Sequence, residues 1–191
     1  MAEMFLLFKE PQLSSASVTE ERKAVSDVFR KFRETTPLVH CITNYVAMNI
    51  SANVLLAAGG SPAMIHAPEE TADFARIASA LTINIGTLSP PWVEGMKKAI
   101  TAARNADVPW VFDPVGHFAT PYRAAVAQDI LKMGPTILRG NASEIIALTG
   151  QSSEAKGVDS SDPVEDAEAA ALSLALAHDS IVVITLSLIH I

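Results

Sequence analysis

The chain has 191 residues, a length typical of one domain, and 49% of them are hydrophobic against 18% charged, which excludes a disordered protein. The formal net charge is −7 and no long basic run occurs, so nucleic acid and anionic membrane surfaces are poor partners. A single cysteine, Cys41, excludes an internal disulfide framework, and no apolar run reaches the roughly 18 residues of a membrane span. We therefore expect a cytoplasmic protein.

The chain begins its regular pattern with a helix, predicted over residues 17–33 by the capping box Ser17-Val-Thr-Glu20 and by apolar residues at helical spacing. Six strands are then predicted at residues 37–42, 61–65, 81–86, 109–112, 135–139 and 180–185. Helices are predicted between them at residues 45–58, 69–78, 90–105, 120–133, 141–148 and 162–178, with a polar loop at 150–161. This alternation predicts a doubly wound, largely parallel α/β sheet with helices on both faces.

The stretch from Val108 to Arg123 contains the strongest candidate for a functional side chain. Asp113 follows a short buried strand, and Pro114 and Gly116 then break the regular backbone. In open parallel α/β sheets, ligands bind outside the carboxyl ends of the strands. We therefore expect Asp113 to meet a metal or a phosphate, although an acid in this position can also cap the next turn.

The next strand ends in a second polar group, formed by Arg139, Asn141 and Glu144. The guanidinium of Arg139 is permanently charged and can donate two parallel hydrogen bonds to phosphate. The pattern Asn141-Ala-Ser-Glu144 predicts a capped helix whose N-terminus suits an anion. Glu144 is a candidate Mg²⁺ ligand through water, because Mg²⁺ uses few carboxylates. Capping by Glu144 is compatible with that assignment.

Residues at the ends of the first two strands are candidates for a small, partly apolar pocket. Asn44 and Val46 follow the first strand, and Met64 ends the second. Methionine alone does not select a ligand contact, because it more often fills gaps in a core. His117 lies near the loop after Asp113 and could contact a ligand, but it is expected to face solvent. Cys41 is expected to be an inert buried thiol.

Six stretches of the chain together resemble the hydroxyethylthiazole kinase family, and the resemblance is collinear from about Pro37 to Thr185. They are Pro37-Leu-Val-His-Cys-Ile-Thr-Asn-Tyr-Val46, Gly60-Ser-Pro-Ala-Met64, Asn84-Ile-Gly-Thr-Leu88, Asp113-Pro-Val-Gly116, Ala119-Thr-Pro-Tyr-Arg123 and Leu138-Arg-Gly-Asn-Ala-Ser-Glu144. The resemblance implies a ribokinase-like fold. It also implies phosphorylation of the hydroxyl of 4-methyl-5-(2-hydroxyethyl)thiazole by ATP with Mg²⁺, in thiamine salvage.

The resemblance also implies roles for particular residues. Met64, Asn44 and Val46 would bind the thiazole alcohol. Arg139, Thr185 and Asn141 would bind ATP, while Asp113 and Glu144 would serve the magnesium and phosphate region. The family further implies a homotrimer with the thiazole site between subunits.

The sequence departs from the family pattern near its end. The family continues into a glycine-rich turn that forms the anion hole, whereas this sequence stops at Ile191 and has Leu186 where the family has glycine. We therefore expect an unmatched extension at 1–16, a partial kinase domain at 17–185, incomplete at its C-terminus, and a divergent tail at 186–191. No catalytic residue is assigned, and low turnover is expected. The alternatives are a non-catalytic fragment that binds ligand or partner subunits, and another small-alcohol kinase of the same fold.

Overall fold

The computed structural model describes residues 15–150 and 164–185. Its strands are β1 (Leu38–Ile42), β2 (Ser61–Ala63), β3 (Ala80–Asn84), β4 (Trp110–Asp113), β5 (Ile137–Asn141) and β6 (Ile181–Thr185). Its helices are α1 (Ser15–Thr35), α2 (Met48–Ala58), α3 (Thr71–Ile77), α4 (Pro90–Asn105), α5 (Pro121–Leu131), α6 (Ala142–Leu148) and α7 (Val164–His178). The predictions for the extension before residue 15, the loop at 151–161 and the tail at 186–191 lie outside the described residues.

The strands form one parallel sheet in the order β2-β1-β3-β4-β5-β6. The chain moves outward from β1 to β2 and then returns to the other side of β1, so the order reverses between β1 and β3. This reversal is the topological switch point, where parallel α/β sheets open a crevice at the carboxyl ends of their strands.

The main hydrophobic core lies between the sheet and the helices α3 to α7. Side chains on one face of the sheet, including Leu81, Phe112 and Leu138, are fully buried against α4, α5 and α6. The opposite face is covered near β1 by α1 and α2, where Phe32 of α1 lies against Gly60. Helices therefore lie on both faces, as predicted. Val183 on the second face of β6 remains 41% exposed.

Helix boundaries follow local signals where a cap is present. The Ser89 hydroxyl accepts a hydrogen bond from the Trp92 N–H, and α4 has the predicted bounds. Gly59 ends α2 at a φ of 100°, in the left-handed region that favours glycine. The prediction that Ser17 begins α1 is wrong, because the helix already includes Ser15 and the strong helix former Ala16.

Two elements are shorter than predicted because side chains hold the adjoining backbone in loops. The predicted second strand reached Ile65, but the carbonyl of Ile65 is bonded to the His40 ring (Nε2 to O, 2.7 Å) and β2 ends at Ala63. The second helix was predicted from Tyr45, but the N–H of Tyr45 donates to the Thr87 hydroxyl at 3.3 Å and α2 begins at Met48. Contacts between distant segments therefore set both boundaries.

Candidate active site

All predicted site residues lie at or near the carboxyl edge of the sheet. Met64 follows β2, Asn44 and Val46 follow β1, Asp113 ends β4, and Thr185 ends β6. At roughly 4.8 Å per strand, the line from β2 to β6 is about 24 Å long. The residues proposed for the thiazole alcohol therefore lie at one end and those proposed for ATP at the other.

Asp113 and Arg139 form an ion pair near the middle of this edge. Arg139 Nη1 lies 2.7 Å from Asp113 Oδ2, and the side chain of Arg139 is 51% exposed while that of Asp113 is 16% exposed. Burial raises the pKa of Asp113 above its ordinary value, an effect that the positive charge of Arg139 partly offsets. In this pair the guanidinium of Arg139 is therefore half exposed to solvent, whereas the carboxylate of Asp113 is mostly buried.

Two asparagines bridge the crevice at the switch point. The Asn44 side-chain N–H donates to Asn84 Oδ1 at 2.8 Å, and the Gly86 N–H donates to the same oxygen at 2.9 Å. Asn84 is in register with Asp113 on the neighbouring strand, and the Asn84 amide favours the charged form of that carboxyl, lowering its pKa. We call Asn44, Asn84, Asp113 and Arg139 the rim.

A second group of polar side chains lies beneath the rim, and we call Arg123, His117 and Glu144 the loop clasp. Arg123 donates from its guanidinium to the carbonyls of Ile85, Gly86, Val115 and Gly116, which belong to the loops after β3 and β4. Almost all of the donor capacity of this guanidinium is used by main-chain oxygens.

Glu144 and His117 complete the clasp. One oxygen of Glu144 accepts from the Gly116 N–H at 3.0 Å, and the other accepts from the Asn141 N–H at 2.9 Å. The Asn141 side chain accepts in return from the Glu144 N–H, so the predicted capping box is present. The prediction that His117 faces solvent is wrong. It is 2% exposed, and its Nε2 lies 2.9 Å from the Glu144 carbonyl oxygen.

The residues that could hold a magnesium ion differ in how much bonding capacity they retain. Asp113 keeps one oxygen outside its pair with Arg139, whereas both oxygens of Glu144 accept backbone N–H groups. Within residues 15–150 and 164–185, no three His, Cys, Asp or Glu side chains come together in a metal-binding group. This donor set fits Mg²⁺, which takes one or two carboxylates and fills its other positions with water and phosphate.

The end of the edge formed by the loops after β1 and β2 is aromatic and apolar. The Tyr45 ring lies 5.1 Å from the Trp92 ring, and the His66 ring lies 4.6 Å from the same indole. Trp92 therefore joins the loop after β1 to the loop after β2, which also contains Met64. Val46 is 92% exposed on this side. Cys41 is buried as predicted, and burial raises the pKa of its thiol, so it is not a reactive nucleophile.

Asn84 and Arg123 were not assigned as site residues from the sequence. Asn84 is a polar residue that ends an otherwise apolar strand, which was the available signal. Arg123 is the third residue of α5. Nothing in its local sequence shows that its guanidinium bonds to the carbonyls of Gly86 and Ile85, which precede it in the chain by 37 and 38 residues.

Comparisons with known proteins agree with the sequence resemblance. A family model described as the hydroxyethylthiazole kinase family matches residues 29–188. A hydroxyethylthiazole kinase of Rhizobium etli is 63% identical over 153 residues, covering 80% of this chain and 59% of the relative. One of Gemmatimonas aurantiaca is 56% identical over 172 residues, covering 90% of this chain and 62% of the relative. The chain thus spans about three fifths of the length of these relatives.

A solved structure has the same fold. The structure of the hydroxyethylthiazole kinase protein from Pyrococcus horikoshii is 40% identical, has a TM-score of 0.77, and covers 86% of this chain with 61% of its own length. The largely parallel α/β class predicted from the sequence is therefore confirmed. No helix among the described residues is long and apolar enough to cross a membrane.

Proposed function

The chain belongs to the hydroxyethylthiazole kinase family, and on that premise we propose that the protein transfers the γ-phosphoryl group of ATP to the hydroxyl of 4-methyl-5-(2-hydroxyethyl)thiazole. The observation that supports this activity best is the order of side chains along the carboxyl edge. An aromatic and apolar end, a carboxylate and a cationic end follow one another in a line. That order suits an apolar alcohol, a metal and a nucleotide, respectively.

The thiazole alcohol is proposed to bind near Met64, Asn44 and Val46. The exposed Val46 and the thioether of Met64 supply apolar surface for the ring and its methyl group. The Asn44 side-chain nitrogen has two N–H donors, and only one is directed to Asn84. The second can orient a polar atom of the substrate.

ATP is proposed to bind at the opposite end, near Arg139, Asn141 and Thr185. Asn141 and Thr185 are in register on adjacent strands, and Arg139 precedes them with its guanidinium half exposed. A guanidinium that retains free N–H groups can bind phosphate oxygens in a bidentate manner. Asn141 also caps α6, so its capping bond holds it in place beside the proposed nucleotide.

Asp113, with Glu144 through water, is proposed to hold Mg²⁺, and the ion would neutralise charge on the phosphate oxygens. Phosphoryl transfer needs positioning and charge stabilisation more than covalent help from the protein. The side chains of the rim contribute to both, because Arg139 carries positive charge and Asp113 lies between the two proposed substrates. We assign no general base among the described residues.

We also propose a cytoplasmic homotrimer with the thiazole site between subunits. Tyr45, Val46, Ile50 and Val54 expose apolar surface beside that site, each with at least 59% of its area accessible. An exposed apolar patch of this kind is typical of an interface. Sedimentation equilibrium should give three times the monomer mass, and a single monomeric species at high concentration would contradict the assembly.

The activity is tested by following ADP release from ATP and Mg²⁺ with the thiazole alcohol, and separately with a sugar and a pyrimidine alcohol. We expect slow release that depends on the thiazole alcohol and exceeds the release with either other acceptor. Preference for either other acceptor would favour another small-alcohol kinase of the same fold. Binding of the thiazole alcohol and ATP without turnover would instead favour a non-catalytic binding protein.

A further inference from the structure

The rim contains a row of side-chain amides whose orientations are fixed by the backbone. Asn44 Oδ1 accepts from the Ala47 N–H at 2.8 Å, so the nitrogen of that amide must face Asn84. Asn84 Oδ1 receives both this bond and the one from the Gly86 N–H. The nitrogen of Asn84 is therefore on the side away from Asn44.

The free side of Asn84 faces the proposed nucleotide half of the site. Asn84 and Asp113 are register partners on β3 and β4, and the Asn84 amide stabilises the charged carboxylate. Asp113 is in turn bonded to Arg139 on β5 at 2.7 Å. Polar side chains thus lie side by side from Asn44 through Asn84 and Asp113 to Arg139, on or just after four adjacent strands.

We infer that Asn84 is a positioning residue that couples the thiazole half of the site to the nucleotide half. The inference rests on the proposed function, since it requires both ligands. Among the members of the row, Asn84 is bonded to Asn44 on one side and lies in register with Asp113 on the other. It lies at the switch point, where the sheet opens and the two loops have no strand between them.

The sign of the coupling follows from conformational entropy. A ligand atom that accepts the second N–H of Asn44 restricts the residual motion of that side chain and, through their hydrogen bond, the motion of Asn84. Asn84 then limits the positions open to the carboxylate of Asp113 beside it. The second ligand then meets groups that are already ordered, so it binds more tightly than it would alone. The effect must be reciprocal, because a coupling free energy is shared equally by the two binding equilibria.

The test measures the affinity of the intact protein for a non-hydrolysable ATP analogue with Mg²⁺, by calorimetry, with and without saturating 4-methyl-5-(2-hydroxyethyl)thiazole. For the wild type we expect the thiazole alcohol to tighten nucleotide binding roughly fivefold or more. In Asn84→Ala, and in Asn84→Asp, which keeps the acceptor but loses the donor, we expect the ratio to fall to within about twofold of one.

The matched control is Thr82→Val, on the same strand and the same face two residues earlier, and it should keep the wild-type ratio. A variant at Asn84 that keeps the wild-type ratio would overturn the inference, as would a wild type that binds both ligands independently. A wild type that binds neither ligand would refute the proposed function itself, which separates the two failures.

A second measurement needs no variant and serves if the substitutions at Asn84 prevent folding. The side-chain amide resonances of Asn44 are followed by NMR while the nucleotide analogue and Mg²⁺ are added without the thiazole alcohol. We expect these resonances to shift, although Asn44 lies two strands from Asp113. Resonances that stay in place at saturating nucleotide would overturn the inference.

Discussion

The loop clasp and the rim are both polar and both lie at the carboxyl edge, yet they differ in how their bonding capacity is used. Arg123 and Glu144 in the clasp direct their charged groups to main-chain atoms. In the rim, Arg139 is half exposed and makes one ion pair, and Asn44 retains a free N–H. The difference teaches that backbone bonds turn a charged residue near a site into part of the scaffold, and that only its remaining bonding capacity is open to a ligand. For Glu144 that capacity is the second lone pair of each oxygen, which suits a contact through water.

The largest effect is expected from removing the carboxylate of the clasp. Glu144→Ala leaves two buried N–H groups, those of Gly116 and Asn141, without their acceptor. At about 2 kcal/mol for each buried donor, we expect the free energy of unfolding to fall by roughly 4 kcal/mol. Urea denaturation measures it.

The matched control for that prediction is Glu94→Ala, because Glu94 forms an exposed ion pair with Lys98 on the surface of α4. It should lower the free energy of unfolding by less than about 1 kcal/mol. If Glu144→Ala lowered the free energy of unfolding as little as this control, the loop clasp would not stabilise the fold.

The second effect concerns the shape of the Arg123 group rather than its charge. Arg123→Lys keeps the cation but cannot reproduce the fork that reaches carbonyls on two loops. We expect the free energy of unfolding to fall by about 2 kcal/mol, less than for Glu144 because this site is only partly buried and water can replace some bonds. Arg76→Lys, in an exposed pair with Asp73, is the control and should be nearly neutral. Equal effects in the two variants would show that charge, not geometry, holds the loops.

A smaller change in the free energy of unfolding is expected from pH. The buried histidines and Asp113 of the rim contribute to it with opposite signs. Burial lowers the pKa of His117 and also the pKa of His40 on β1. Below about pH 6.5 the unfolded chain therefore binds protons at these histidines that the folded chain does not bind. The free energy of unfolding should then fall by up to about 1.4 kcal/mol per pH unit for each histidine. The raised pKa of Asp113 acts the other way, favouring the folded state as the pH falls toward and below that pKa.

The pH prediction is checked by urea denaturation between pH 7.5 and 5.5. His117→Gln, whose side chain can still donate to the Glu144 carbonyl, should remove about half of the slope. A slope unchanged by this substitution would mean that His117 is not held neutral by the clasp.

Features with a local cause were predictable from the sequence. The capping box of Asn141 and Glu144 and the serine cap before Pro90 each depend on residues within three or four positions, and the structure has both. The parallel α/β class followed from the alternation of apolar runs and helices. The position of Asp113 at a strand end followed from the same pattern.

Features that depend on distant contacts were not predictable. His117 was expected at the surface because it lies in a polar loop. Its ring is instead buried and hydrogen-bonded to the carbonyl of Glu144, 27 residues later in the chain. The role of Asn84 at the switch point requires knowledge that β1 and β3 are neighbours, which the chain order does not state. Glu144 was assigned to magnesium and to capping alike, but only the structure shows that one oxygen accepts the capping bond from the Asn141 N–H while the other accepts from the distant Gly116 N–H.

The most direct test of the proposed site is the rate of ADP release with the thiazole alcohol in Asp113→Asn. The substitution keeps the shape and can still meet Arg139, but it removes the charge proposed to hold Mg²⁺. Because burial already disfavours that charge, the free energy of unfolding should stay the same or rise. We expect thiazole-dependent ADP release to fall by about a hundredfold or more, the scale of losing a group that stabilises the transition state. Release within threefold of the wild type, in a protein of unchanged stability, would contradict the assignment of Asp113 to the reaction.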